Sequence, residues 1–112
     1  MPKGFWLEEC PVGITVCDRR GKALEMNKAA AKTFAKQGGK RLIGKDLLSC
    51  HPQRARAKLE RLLRSGRPNV YTIEKKGRKK LIYQGPWHRR GRYRGLVELS
   101  IVLPDKLPHF KR

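Results

Sequence analysis

Acidic residues are scarce in this chain: 9 Asp and Glu stand against 28 Lys and Arg, for a formal net charge of +19 over 112 residues. So few carboxylates include no pair suited to glycosidase or two-metal chemistry. No nucleophile stands with a base and an orienting acid at a recognisable spacing, so the chain does not read as an enzyme, and no catalytic or metal-ligating set is assigned. Cysteine is also sparse. Cys10, Cys17 and Cys50 are scattered and odd in number, which excludes a disulfide framework and fits a reducing compartment, the cytoplasm. Long apolar runs are missing, and MPKGFWLEECP lacks the apolar stretch of a leader peptide and carries Glu8 and Glu9, so no membrane association is expected. A phosphate-cradling loop is absent too, since Gly38-Gly39 has no Lys-Ser/Thr after it.

What is present is enough chain for one core without metal or disulfide staples. The only sustained helical period lies in IGKDLLSCHPQRARAKLERLLRSGRP (43–68), where Ala55, Leu59, Leu62 and Leu63 recur at three- and four-residue steps. Gly66 and Pro68 stop that helix. Before it, Val12, Ile14 and Val16 alternate with small or polar residues as in a half-buried strand. Asp18-Arg19-Arg20-Gly21 turns the chain into a second strand with Leu24 and Met26, and Asn27 is placed to cap a short helix over 28–36. After the helix, NVYTIE (69–74), 79–87 and 93–103 read as three strands of a meander joined by turns at Lys75-Lys76-Gly77-Arg78 and Arg89-Arg90-Gly91-Arg92.

Strands, then helices, then strands favour an α+β fold: a five-stranded antiparallel sheet with helices packed on one face. The expected organisation is a lead-in helix over 1–11 ended by Pro11, a domain over 12–105, and a basic tail over 106–112. Single-sided alternation puts Ile14, Val16, Met26, Leu47, Leu59, Leu62, Tyr83, Val97 and Leu99 towards the helices. Ile82 and Leu96 then fall on the uncovered face.

The line PVGITVCDRRGKALEMNKAAAKTF (11–34) resembles the opening of a PAS domain. IGKDLLSCHP is similar to that family's following turn, and KKLIYQGPWHRRGRYRGLVELSIVLPD, with its Gly-x-Tyr-x-Gly stretch, is similar to its last hairpin. The likeness spans about 8–105 and implies a PAS-like fold that senses a small molecule or redox state between sheet and helices, or dimerises. Flavin-binding light sensors of the family carry an Asn-Cys-Arg-Phe-Leu-Gln run where this chain has Ser49-Cys50-His51-Pro52-Gln53. Haem-binding members place a ligand His in the long helix; registering Gly44 and Pro52 on that pattern puts Leu59 there. The usual motifs therefore support neither haem nor flavin.

The expectation is a stand-alone sensory, signal-transduction module. It binds a small ligand, lined by the nine apolar residues above and His51, or a signalling partner, and it acts through association, because Pro104 and Pro108 oppose a linker helix. Imidazole and thiolate make Cys50-His51 a conceivable ligand pair, though bonding of His51 at the helix start is the simpler role. Trp87-His88 could flank a ligand, but an aromatic at a strand end more often buries its ring and keeps its polar edge wet. A homodimer is expected through Phe5, Trp6, Leu7, Ile82 and Leu96. The alternative is a small basic nucleic-acid-binding protein using Arg54, Arg56, Arg61, Arg64, Arg89, Arg90 and Arg92, although aromatics to stack on bases are sparse.

Overall fold

In a computed structural model, which describes residues 3–49 and 51–112, the chain folds as an antiparallel sheet of five strands in the order β2-β1-β5-β4-β3. The strands are β1 (Gly13–Asp18), β2 (Ala23–Met26), β3 (Asn69–Lys75), β4 (Arg78–Arg89) and β5 (Arg92–Val102). Between β2 and β3 lie helix α1 (Lys28–Thr33), two 3₁₀ turns (Ala35–Gln37 and Gly39–Leu42) and helix α2 (Gln53–Ser65). The α+β class, the meander and the helical middle stand as the sequence implies.

Local chemistry accounts for the joints. The β3–β4 and β4–β5 connections are the residue pairs Lys76-Gly77 and Arg90-Gly91, with φ of 52° and 74° in the first and 55° and 77° in the second. Positive φ at both positions matches the right-handed twist of the flanking strands, which is why Gly occupies the second position of each pair. Asp18 Oδ1 accepts from the backbone N–H groups of Arg20 and Lys22 at 2.9 Å each, closing the β1–β2 turn. Helix α2 ends on Gly66 in the left-handed conformation, its N–H donating to Leu62.

Asn27 does more than cap. Its Oδ1 accepts from Ala30 N–H at 3.0 Å and from Ile14 N–H at 2.9 Å, while its Nδ2 donates to the carbonyls of Val12 (2.8 Å) and Leu7 (2.9 Å). One buried amide thus ties the lead-in segment, β1 and α1 together. The lead-in itself departs from expectation. Lys3–Glu9 forms successive turns rather than a helix, with Leu7 N–H donating to Gly4 and Cys10 N–H to Leu7. Gly4 at φ 72° breaks a helical path at its start.

Both helices lie on one face of the sheet, but their packing leaves two separate apolar clusters. Met26, Ala30, Leu42 and Phe34 surround α1. Cys17, Leu63 and Leu96 form the other, with Leu47, Leu48, Leu59 and Leu62 against them under α2. No large side chain anywhere in the described residues is completely enclosed.

Candidate functional site

The covered face of the sheet is the reverse of the one the alternation indicates. Ile82 and Leu96, expected outside, are 4% and 5% exposed and face the helices. Ile14, Val16, Tyr83 and Leu99, expected to line the cavity, sit one register step away, on the face no helix covers. A shift of one residue moves every side chain of a strand to the other face, and here both faces carry aliphatics, so the period alone does not choose between them. The inner face was disguised by its polar members, which had passed for solvent-facing residues.

Those members form a row. Register places Asn69 beside Gln84, Gln84 beside Glu98, Glu98 beside Thr15, and Thr15 beside Met26, so the row crosses all five strands. Asn69 Nδ2 donates to Gln84 Oε1 at 3.0 Å, which fixes the orientation of the Gln84 amide and turns its N–H groups towards the Glu98 carboxylate. Burial pushes the Glu98 carboxyl above its ordinary value, while nearby His51 and the Gln84 hydrogen bond draw it part of the way back. Burial likewise pushes up the Cys17 thiol and the Tyr71 hydroxyl, and the negative charge of Glu98 adds to both shifts.

Above this row the helices stand off. Three cavities of about 220, 230 and 210 Å³ share Thr15, Phe34 and Glu98 in their walls, and so are lobes of one space. The first lobe runs under α2 between Leu47, Leu59, Leu62, Leu96 and Tyr71; the second reaches Ile73, Lys80 and Ile82 at the β3 edge; the third passes Met26, Leu42 and His51. Of the expected ligand residues, Met26, Leu47, His51, Leu59 and Leu62 do meet here; Val97 borders the first lobe between Leu96 and Glu98, but its pairing with Val16 puts its side chain on the outer face. Thr15, Phe34, Tyr71, Gln84 and Glu98 were missed. The signal that could have found them is that Thr15, Gln84 and Glu98 keep step with Cys17, Ile82 and Leu96.

His51 bonds through Nδ1 to the Leu47 carbonyl, so that nitrogen carries a proton, and the residue lines the cavity. Cys50, its neighbour in the sequence motif, lies outside the described residues. Trp87 serves the sheet instead, since its Nε1 donates to the Cys17 carbonyl at 2.9 Å across Gly95, where an added Cβ would fall 1.9 Å from that carbonyl oxygen. Tyr93, between the two glycines of its hairpin, donates from its hydroxyl to the Leu63 carbonyl at 2.7 Å and pins the end of α2 to β5.

Phe5 and Trp6 are 59% and 60% exposed, and Leu7 is half-buried. Arg54, Arg56, Arg61 and Arg64 are exposed along α2, spread over about 15 Å at the helical rise. Arg89, Arg90 and Arg92 lie elsewhere, at the β4–β5 turn, and there the structure adds Arg19, Arg20 and Arg94 around Trp87 and Tyr93.

A family model described as the PAS fold matches residues 7–103. A search among curated proteins finds no sequence match. Among solved structures, the chain is similar to the PAS domain of Bordetella pertussis BvgS, with 19% identity, a TM-score of 0.65, and coverage of 90% of this chain and 83% of that one. The PAS domain of the histidine kinase ThkA gives 19% identity and a TM-score of 0.63 over 80% of this chain and 97% of that one. The Aer2 receptor of Vibrio cholerae, described as a dual PAS-haem oxygen sensor, gives 13% identity and a TM-score of 0.59 over 83% and 95%. At such identities the structures show a shared fold.

Proposed function

Because the chain belongs to the PAS-fold family, a family of sensory signal-transduction modules, we propose that it binds a small molecule in the space between sheet and helices and passes the result on by association. The observation that carries this reading is the divided core. Two apolar clusters that could have merged are held apart over a polar row, and the gap between them is walled by side chains from both helical and strand segments. Concave, mostly apolar sites with a few convergent polar groups are where proteins hold small ligands. Native mass spectrometry and absorption spectra of the protein as purified test it: a bound small molecule supports the reading. A protein that is empty, and whose melting temperature no small molecule raises, overturns it.

Association finds support on the other face of the sheet. Val70, Tyr83, Leu99 and Ile14 form one row across it, and Leu81 with Ile101 a second. These side chains are aliphatic or aromatic, Val70 is 55% exposed, and no helix among the described residues covers them. A homodimer around a twofold axis would bury the face against its own copy, gaining roughly 25 cal/mol per Å². Light scattering at moderate salt should show a dimer that Leu99→Glu converts to monomer. Wild-type protein that is monomeric throughout would sink the dimer.

The basic end of the sheet favours a second reading, binding of a polyanion such as nucleic acid. Arg19, Arg20, Arg92 and Arg94 line one concavity there, with the Arg19 guanidinium 5.3 Å from the Tyr93 ring centre. Affinity that falls steeply with salt supports this reading, since each neutralised phosphate releases counterions; no binding near physiological salt removes it. For location, the free thiols of Cys10 and Cys17 support a reducing compartment, the cytoplasm. No helix among the described residues is long and apolar enough to cross a membrane.

A further inference from the structure

The polar groups that the cavity presents are not a balanced set. Glu98 offers carboxylate oxygens, and Gln84, its neighbour on β4, has its own carbonyl oxygen committed to Asn69. His51 is tied through Nδ1 to the Leu47 carbonyl. Glu98 and His51 both line the first and third lobes, yet no ion pair within 4.0 Å joins them among the described residues, so the carboxylate faces the space without a cation at contact distance. Around them the walls are apolar.

We infer that this cavity takes a small organic amine, its ammonium group held at the Glu98 carboxylate and its apolar body against Leu47, Leu59 and Leu62. The inference rests on the sensory reading above and narrows it to a class of ligand. An ammonium has three donors and no acceptor, which complements a carboxylate with no cation at contact distance. Charge assistance makes its bond to Glu98 stronger than any a neutral hydroxyl forms there. The carboxylate held in a partly dry site gains a counter-ion on binding.

The other charged groups around Glu98 do not already fill that role. Lys58 of α2 is exposed, and its ammonium sits 4.7 Å from the centre of the Tyr71 ring, in a cation–π contact rather than at the carboxylate. Lys75 and Lys80 line the second lobe at the β3–β4 side, again without an ion pair to Glu98. Those rim cations disfavour a ligand with a second positive charge and tolerate one whose far end is apolar. The first lobe, where the apolar body would lie, is about 220 Å³, below the roughly 300 Å³ at which drug-sized sites begin, so a ligand confined to that lobe has a small body.

The test uses matched probes on the full chain: 2-phenylethylamine, 2-phenylethanol and phenylacetate, with hexylamine, hexanol and hexanoate as an aliphatic series, read by calorimetry and by melting temperature at neutral pH. Amines should bind and raise the melting temperature, and carboxylates should do neither. Glu98→Gln should weaken amine binding by at least about tenfold and alcohol binding by much less, since only the amine loses a charge-assisted bond. The variant keeps the shape of the side chain and its place beside Gln84, so a folded, amine-blind protein is the expected product. Alcohols or carboxylates binding as tightly as amines, or amine affinity unmoved by Glu98→Gln, would overturn the ligand class while leaving the cavity as a site. No binding in either series would overturn this inference, while the cavity reading is decided separately by the native mass spectra of the protein as purified.

Discussion

The two faces of the sheet have exchanged the roles that polarity usually gives them. The face under the helices carries Asn69, Gln84, Glu98 and Thr15 in a continuous row, whereas the face without helices carries Val70, Tyr83, Leu99 and Ile14 in the row beside it. Burial is costly for the first set unless each group is partnered, and exposure is costly for the second. A domain meant only to be stable would have the opposite arrangement. Each face therefore departs from a stable minimum in its own way: the inner one gathers acceptors around a space, and the outer one leaves apolar surface uncovered.

The sharpest break in that comparison is one truncation on each face. Ile82 is 4% exposed on the inner face and Leu99, its near neighbour across β5, is only half-buried on the outer one. Ile82→Ala should cost about 2–5 kcal/mol in chemical denaturation, through lost transfer energy and the cavity left behind. Leu99→Ala should cost the monomer no more than about 1 kcal/mol, its effect appearing in self-association instead. Equal losses at both sites would mean that the two faces are covered alike.

A smaller effect is expected where Asn27 ties the lead-in segment to β1 and α1. Asn27→Ala removes, at a buried position, the bonds accepted from the Ile14 and Ala30 amides and those donated to the Val12 and Leu7 carbonyls, of which the Leu7 carbonyl keeps the Cys10 N–H. Water can reach part of this site, so the expected cost is about 1–3 kcal/mol, with faster hydrogen exchange at Ile14 and Ala30. A change within about 0.5 kcal/mol would show that the lead-in is not held by that amide.

How much of this was legible in the sequence depends on which face is considered. Helix α2 was clear because Ala55, Leu59, Leu62 and Leu63 share one period and Gly66 ends it, and the strands were clear from their turns. Asn27 showed itself as a cap, but not as the anchor for Leu7 and Val12, since those bonds join residues distant along the chain. The sidedness of the sheet was not legible. With Ile14, Val16 and Leu99 in one phase and Cys17, Leu96 and Ile82 in the other, burial of either set satisfies the alternation, and the polar residues in the second phase tipped the choice the wrong way. In a sheet with apolar residues in both phases, the period does not identify the covered face.

The smallest effect, and the finest probe of the inner face, is the pH dependence that Glu98 imposes on stability. Burial raises its carboxyl in the fold above the ordinary value of 4.5, outweighing the lowering by His51 and Gln84. The folded state therefore binds this proton more tightly than the unfolded chain, and stability falls with rising pH wherever the fold holds more protons. The contribution is fully present below the unfolded value and is lost as pH rises through the folded one, so the protein without ligand loses it on moving from acid towards neutrality. Other carboxylates titrate in the same window, which makes the difference between wild type and variant the quantity to measure. Glu98→Gln stays neutral throughout, so its stability relative to wild type should be smallest near pH 4 and should grow towards pH 7. Melting temperatures of the two proteins across that range decide the matter. Parallel curves would mean that Glu98 meets as much water in the fold as in the unfolded chain, and that the polar row of the inner face is wet.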